Sequence, residues 1–252
     1  MSGRTLVVAL LVSAMFIASA NAQSRKTSVQ NVVLVHGAFV DGSGWRAVAD
    51  ILQKDGFKVS VVQQPMTSLE DDVVATTRIL DRQSGPTVLV GHSYGGVIVT
   101  EAGKHPNVAS LVYVAAYAPE EGEHVRALRS TKPPLANSTS PTADGYLLID
   151  PNSFHADFAA DVPAADARFM AISQMPTNAK AFTTPVTTAA WKTKPSFGIV
   201  ATNDRMINPD LERTMYARAK AKVTEIKASH AVLISQPRMV AKVIKQAAQA
   251  ER

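Results

Sequence analysis

The chain has 252 residues, 46% of them hydrophobic and 19% charged, with 14 prolines, 13 glycines and no cysteine. That length and apolar content suit one globular domain and not a disordered or collagen-like chain. The absence of cysteine excludes disulfides, thiolate zinc sites, iron–sulfur clusters, a cysteine nucleophile and a lipoprotein anchor. The net charge of +5 is scattered. Its densest stretch, Arg213 to Lys227, is interrupted by Glu225 and reads as a solvated helix face, so no nucleic-acid partner is expected.

Residues Met1 to Ala22 have the form of a secretory signal peptide: Arg4, an apolar run from Leu6 to Ala18, and the small-x-small site Ala20-Asn21-Ala22. The apolar run is shorter than the ~20 residues a membrane span needs, so no stable membrane anchor is expected. Cleavage after Ala22 would leave a mature domain of residues 23–252 in the periplasm or outside the cell.

Along that domain, short β-branched runs alternate with helical patterns, the signature of a mainly parallel α/β sheet of about six strands with helices on both faces. The patterns predict a strand over Asn31 to Val35, a helix from about Trp45 to Lys54, and a strand over Lys58 to Val62. Ser68, with Asp71 three residues on, predicts a capped helix running to about Arg82. A strand over Thr87 to Val90 leads into Gly91 and a helix to about Lys104, followed by a strand over Val108 to Ala115. From about 119 to 190 the rhythm breaks. Seven prolines between Pro133 and Pro185, interspersed with Phe154, Phe158, Phe169, Met170 and Met175, predict a cap insertion of short helices and loops. The sheet resumes at Ser196 to Ala201. Asn208 then caps a helix with Pro209 at its first position, and a strand near Val223 to Ile226 and a helix from about Arg238 complete the chain.

The stretch Gly91-His92-Ser93-Tyr94-Gly95-Gly96 lies between a buried strand and an apolar helix start, the context of a nucleophile elbow. Ser93 must adopt a strained backbone there, so the residues two before and two after it must be small. A serine hydroxyl needs a base, and the base needs a group to orient it. In the order Ser, acid, His, the candidates are Asp204, after the strand Ser196–Ala201, and His230, after the next strand. Asn203 and Asp210 compete with Asp204 on sequence alone, as do Glu120 and Glu121 after the preceding strand. For the oxyanion, the N–H of Tyr94 and one from the turn His36-Gly37-Ala38-Phe39 are expected, Ala38 before Phe39. His124 and His155 fall in the insertion. Trp45 and Trp191 read as structural.

A competing pattern, Gly42-Ser43-Gly44-Trp45-Arg46-Ala47, matches a dinucleotide fingerprint. The following strand ends in Val61-Val62-Gln63-Gln64-Pro65, without the acid that would hold a ribose, so no such cofactor is expected. No metal-ligand spacing is present either.

These residues, His36-Gly37-Ala38-Phe39 with Gly44-Trp45, the elbow around Ser93, Asp204 and His230, resemble the α/β-hydrolase superfamily. Within it the chain is similar to bacterial esterases related to plant methyl-ester esterases and hydroxynitrile lyases, from which the loop Val40 to Gly44 departs by its length. The resemblance implies a cofactor-free enzyme with its pocket between core and cap. It also implies Ser93, Asp204 and His230 as the triad and Ala38 and Tyr94 as the oxyanion hole. The expected function is hydrolysis of a small carboxylic ester. Phe39, Phe154, Phe158, Phe169 and Met170 are candidates for a pocket holding an apolar or aromatic group, and the protein is expected to be a monomer or homodimer. Two other readings stand beside this one: a hydroxynitrile lyase or cofactor-free perhydrolase using the same triad, and a non-catalytic ligand-binding protein of the same fold. A lyase of that kind wants a lysine near the site, whereas Arg205 and Met206 follow Asp204.

Overall fold

Hydrophobic runs of five to nine residues can be buried on both faces only if helices cover the sheet they form. The computed structural model describes residues 29–250 and realises that arrangement. The signal-peptide expectation, Met1 to Ala22, lies outside the described residues. β1 (Asn31–Val35) leads through one 3₁₀ turn, Gly42–Trp45, into α1 (Arg46–Lys54), and β2 (Lys58–Val62) follows. The predicted start of α1 at Trp45 thus falls on the last residue of the tighter turn, whose first amides are capped by the Asp41 side chain at Ser43. α2 (Leu69–Leu80) is N-capped by Ser68, whose hydroxyl accepts from the Asp71 amide at 3.1 Å. The reciprocal arm of a capping box is diverted: the Asp71 carboxylate accepts from the Thr67 hydroxyl at 2.7 Å.

β3 (Thr87–Ser93), α3 (Gly95–Ala102) and β4 (Val108–Ala116) form the centre of the molecule, and every residue of all three is buried. The cap follows, with α4 (Val125–Thr131), β5 (Thr139–Pro141), β6 (Tyr146–Ile149), α5 (Pro151–Phe158), α6 (Ala164–Ile172) and β7 (Thr177–Asn178). β5, β6 and β7 pair as a small antiparallel sheet, where the sequence predicts only helices and loops. β8 (Ser196–Ala201), α7 (Pro209–Arg218), β9 (Lys222–Ile226), α8 (Val232–Ser235) and α9 (Pro237–Ala248) complete the core. As expected, the Asn208 side chain caps α7 with Pro209 at its first position.

The main sheet is parallel throughout, in the order β2-β1-β3-β4-β8-β9. The chain winds outward from β1 to β2, then back past β1 to β3 and on to β9. The order therefore reverses between β1 and β3. In open α/β sheets ligands bind in the crevice beyond the carboxyl ends of the strands at such a reversal. Here that crevice lies between the turn after β1 and the turn after β3.

Candidate active site

β3 carries its pairing with β4 through to Ser93, but the register slips between His92 and Ser93. The slip is accommodated by left-handed backbone at Ser93 (φ 55°) and at Ala115 (φ 44°). Neither is glycine, so each stores roughly 1–3 kcal/mol of strain that the surrounding packing must hold. The turn closes so tightly that a Cβ on Gly91 would stand 2.5 Å from the Gly95 carbonyl oxygen. The result presents Ser93 at the N-terminal end of α3, where unpaired amides and the helix dipole favour negative charge.

Asp204 and His230 come from loops at the same edge of the sheet. Beyond β8 the chain turns by a bond from the Asp204 amide to the Ala201 carbonyl at 3.0 Å. Asp204 Oδ1 accepts from the amides of Met206 (2.7 Å) and Ile207 (2.9 Å), and Oδ2 accepts from His230 Nδ1 at 2.6 Å. Both side chains are buried. The competing acids are engaged elsewhere: Asp210 pairs with Arg213 at 2.7 Å, and Glu120 with Lys192 at 2.6 Å.

His230 is gripped from two sides. His92 Nε2 donates to the His230 carbonyl at 2.9 Å, which leaves His92 Nδ1 bare and unprotonated. Burial, and next the neighbouring His230, keeps His92 well below the usual imidazole range. The cap supplies the second grip. The Phe158 ring meets the His230 ring edge-on at 4.8 Å, and the Phe158 carbonyl accepts from the Ala231 amide at 3.0 Å. Asp161 accepts from the Ser229 amide at 3.0 Å and from its hydroxyl. Sequence reasoning treats Phe158 only as a pocket candidate and passes over Asp161. A carboxylate three residues beyond a cap helix carries no signal in the sequence of the distant loop that it binds.

The turn after β1 is anchored by His36. Its Nε2 accepts from the Gln64 amide at 3.3 Å, so Nδ1 carries the proton and donates to the Gly37 carbonyl at 2.9 Å. Burial lowers the His36 ring below its ordinary value. Phe39, with φ 68°, has its N–H engaged by the Thr177 hydroxyl at 3.3 Å. The N–H groups of Ala38 and Tyr94 make no such bond among the described residues, so of the three expected donors these two are the ones without a protein partner there.

The Tyr94 side chain points the other way. Its hydroxyl donates to Asp72 at 3.0 Å, and burial, then the charge of Asp72, holds it well above the usual phenol range. His155 Nε2 donates to the Val162 carbonyl at 3.1 Å, and His124 caps α4. Trp191 donates to the Pro119 carbonyl at 2.8 Å, closing the base of the cap.

A cavity of about 570 Å³ lies between the β1 turn, α6 and α8, with His36, Phe39, His92, Phe158, Phe169 and Met170 among its walls. Ser93 is not a wall residue, but His92 next to it is. Phe169 is 67% exposed and stands at the mouth. Phe154 is fully buried and stacks behind Phe158 at 4.9 Å, bordering neither this cavity nor the next. A second cavity, of about 510 Å³, meets the first at Phe39 and is walled by Val125, Arg126, Arg129, Leu147 and Phe182. Among the described residues, no cluster of histidine and carboxylate side chains is placed to hold a metal, and no helix is long and apolar enough to cross a membrane.

The chain belongs to the α/β-hydrolase family, whose family model matches residues 32–243. It is 36% identical over 112 residues to the carbendazim hydrolyzing esterase of Nocardioides sp. (strain SG-4G), a match over 39% of this chain and 46% of that enzyme. The alignment thus spans less than half of that relative's length. Among solved structures it is similar to a pyrethroid hydrolase from Sphingobium faniae JZ-2, with a TM-score of 0.77, 23% identity, and 88% and 98% of the two chains covered. It is also similar to the methylesterase MES16 from Arabidopsis, with a TM-score of 0.73, 20% identity, and coverage of 88% and 99%. At these identities the two structures establish the shared fold.

Proposed function

We propose that the protein is a serine hydrolase of small carboxylic esters. The observation that carries this reading is the buried Asp204–His230 pair at 2.6 Å, set on the same sheet edge as the strained Ser93. As Ser93 Oγ bonds to the ester carbonyl carbon, its proton passes to His230 Nε2. Asp204 fixes the Nδ1–H tautomer and stabilises the imidazolium. Charge developing on the carbonyl oxygen is met by the N–H groups of Ala38 and Tyr94. The tetrahedral adduct collapses, breaking the carbonyl carbon–oxygen bond, and His230 returns the proton to the departing alcohol. Water, deprotonated by the same imidazole, then bonds to the acyl carbon. The bond from that carbon to Ser93 Oγ breaks, His230 returns the proton to Ser93, and the acid leaves.

The apolar walls Phe39, Phe158, Phe169 and Met170 favour an aromatic or apolar group on one side of the ester. That fits relatives named for hydrolysing carbendazim and pyrethroids. On this reading the chain is exported and cleaved after Ala22, and mass spectrometry of the periplasmic fraction would find a chain starting at Gln23. The catalytic reading is tested by Ser93→Ala. Hydrolysis of p-nitrophenyl acetate should fall by about 10⁴-fold or more, with circular dichroism unchanged. Retained turnover would refute it.

A further inference from the structure

Asp204 accepts three hydrogen bonds, two on Oδ1 and one on Oδ2. An ionised carboxylate can accept about four, and the remaining position is on Oδ2, beside His230. The Glu212 side chain, from α7, lies within hydrogen-bond reach of the Asp204 carboxylate. Glu212 is wholly buried; the Ala201 amide lies nearby, but among the described residues neither carboxyl oxygen has a donor in good hydrogen-bond geometry. Two ionised carboxylates in contact would repel and leave acceptors facing acceptors, which a buried site does not tolerate. A single proton resolves both problems, because a carboxylic acid is a donor where a carboxylate is not.

The surroundings agree. Tyr216, one turn along α7, locks the helix to the sheet: its hydroxyl accepts from the Ala116 amide and donates to the Ala116 carbonyl, each at 2.9 Å. The charged and titratable groups around Glu212 are Asp204 from the β8 loop, Tyr117 after β4, and Tyr216 and Arg213 on its own helix. Arg213 is spent on Asp210 and Glu225 at the surface, so no cation neutralises the pair from within. Burial first, and the Asp204 charge second, push the Glu212 carboxyl well above the usual range.

We propose that Glu212 is a positioning residue of the site, donating a carboxylic-acid hydrogen bond to the Asp204 carboxylate and thereby fixing the group that orients His230. This rests on the reading of Asp204 and His230 as the partners of Ser93. The proton stays on Glu212 throughout the cycle. Its effect is to draw negative charge from Asp204, so that the imidazolium is stabilised enough to form and not enough to persist. The arrangement uses a neutral acid as a donor, which burial makes available at neutral pH.

The test compares the wild type with Glu212→Gln, whose carboxamide can still donate, and Glu212→Leu, which cannot. With p-nitrophenyl acetate, Glu212→Leu should lower kcat about 10-fold at unchanged KM. It should also move the acid limb of the kcat/KM profile to higher pH, because an unrelieved Asp204 holds the imidazolium more strongly. Glu212→Gln should recover most of the loss. Difference infrared spectroscopy at pH 8 should show a carboxylic-acid carbonyl band in the wild type that Glu212→Gln lacks. This readout stands even if the leucine variant fails to fold. It is also independent of Ser93, so failure of the triad and failure of the Glu212 bond are separable. The absence of the carbonyl band, or a glutamine variant as impaired as the leucine variant, would overturn the proposal.

Discussion

Gly37 and Ser93 touch across the crevice between β1 and β3: a Cβ on Gly37 would stand 2.7 Å from the Ser93 Cβ and 3.1 Å from His92 Nδ1. The turn that presents the Ala38 amide and the turn that presents the hydroxyl are therefore packed backbone against backbone. A side chain at 37 must push one of them away. Gly37→Ala should lower kcat by roughly 100-fold or more, the cost of misplacing one oxyanion donor, while the protein stays folded. Steady-state kinetics with thermal denaturation of the same sample checks this, and activity within a few-fold of wild type would show that the two turns can separate freely.

Asp204→Asn should cost about 10⁴-fold in kcat, because a carboxamide can stabilise the wrong imidazole tautomer and cannot balance an imidazolium. The competing acids supply the control. Asp210→Asn and Glu120→Gln remove only the surface pairs with Arg213 and Lys192, and should leave kcat/KM unaltered. A large loss in either control would move the acid away from Asp204.

How much of this is legible from sequence depends on the length scale of each feature. The four inner strands announce themselves because a strand buried on both faces is a continuous apolar run, as in Val32-Val33-Leu34-Val35 and Leu111-Val112-Tyr113-Val114. The edge strands β2 and β9 keep exposed residues and show as shorter β-branched patterns. The elbow is legible because its glycines are demanded by backbone contact. The cap sheet is not, since β5, β6 and β7 have three, four and two residues. Segments that short carry no alternation, and Pro141 in β5 argues against a strand. Glu212 hides for a different reason. Asp210, Glu212 and Arg213 look like one solvated face, although Glu212 shares the i, i+3, i+4 spacing of the buried Met215 and Tyr216. That spacing is the signal that could have found it.

Asp72 makes stability depend on pH. It is buried, accepting from the Met66 amide at 2.8 Å and from the Tyr94 hydroxyl. Burial pushes its carboxyl up from 3.8 to about 6, with Asp71 and Glu70 adding to the effect and the two hydrogen bonds opposing it. The folded state therefore keeps this proton after the unfolded chain has lost it. Stability falls as pH rises from about 4 to about 6, by up to roughly 3 kcal/mol, and this contribution is constant above that window. Asp72→Asn should abolish that component. Urea unfolding of both proteins at pH 4 and pH 7 measures it, and an identical pH dependence in the two would contradict the assignment.

Asp161 joins the cap to the loop that carries His230 through two bonds to Ser229. Asp161→Ala should loosen that loop and lower kcat about 10-fold, the loss of about 1.5–3 kcal/mol of charge-assisted hydrogen bonding being shared between stability and positioning. Hydrogen exchange at Ser229 and Ala231 should quicken in parallel. Unchanged exchange and activity would show that the Phe158 contacts hold the loop alone.

The central claim, that Ser93 is activated by His230, is tested most directly by intact-mass spectrometry after treatment with a fluorophosphonate. A single adduct should form and map to Ser93, and it should be lost in the His230→Ala variant. A folded wild-type protein that takes no adduct would mean an inert serine, and the fold would then serve to bind a ligand instead of turning one over.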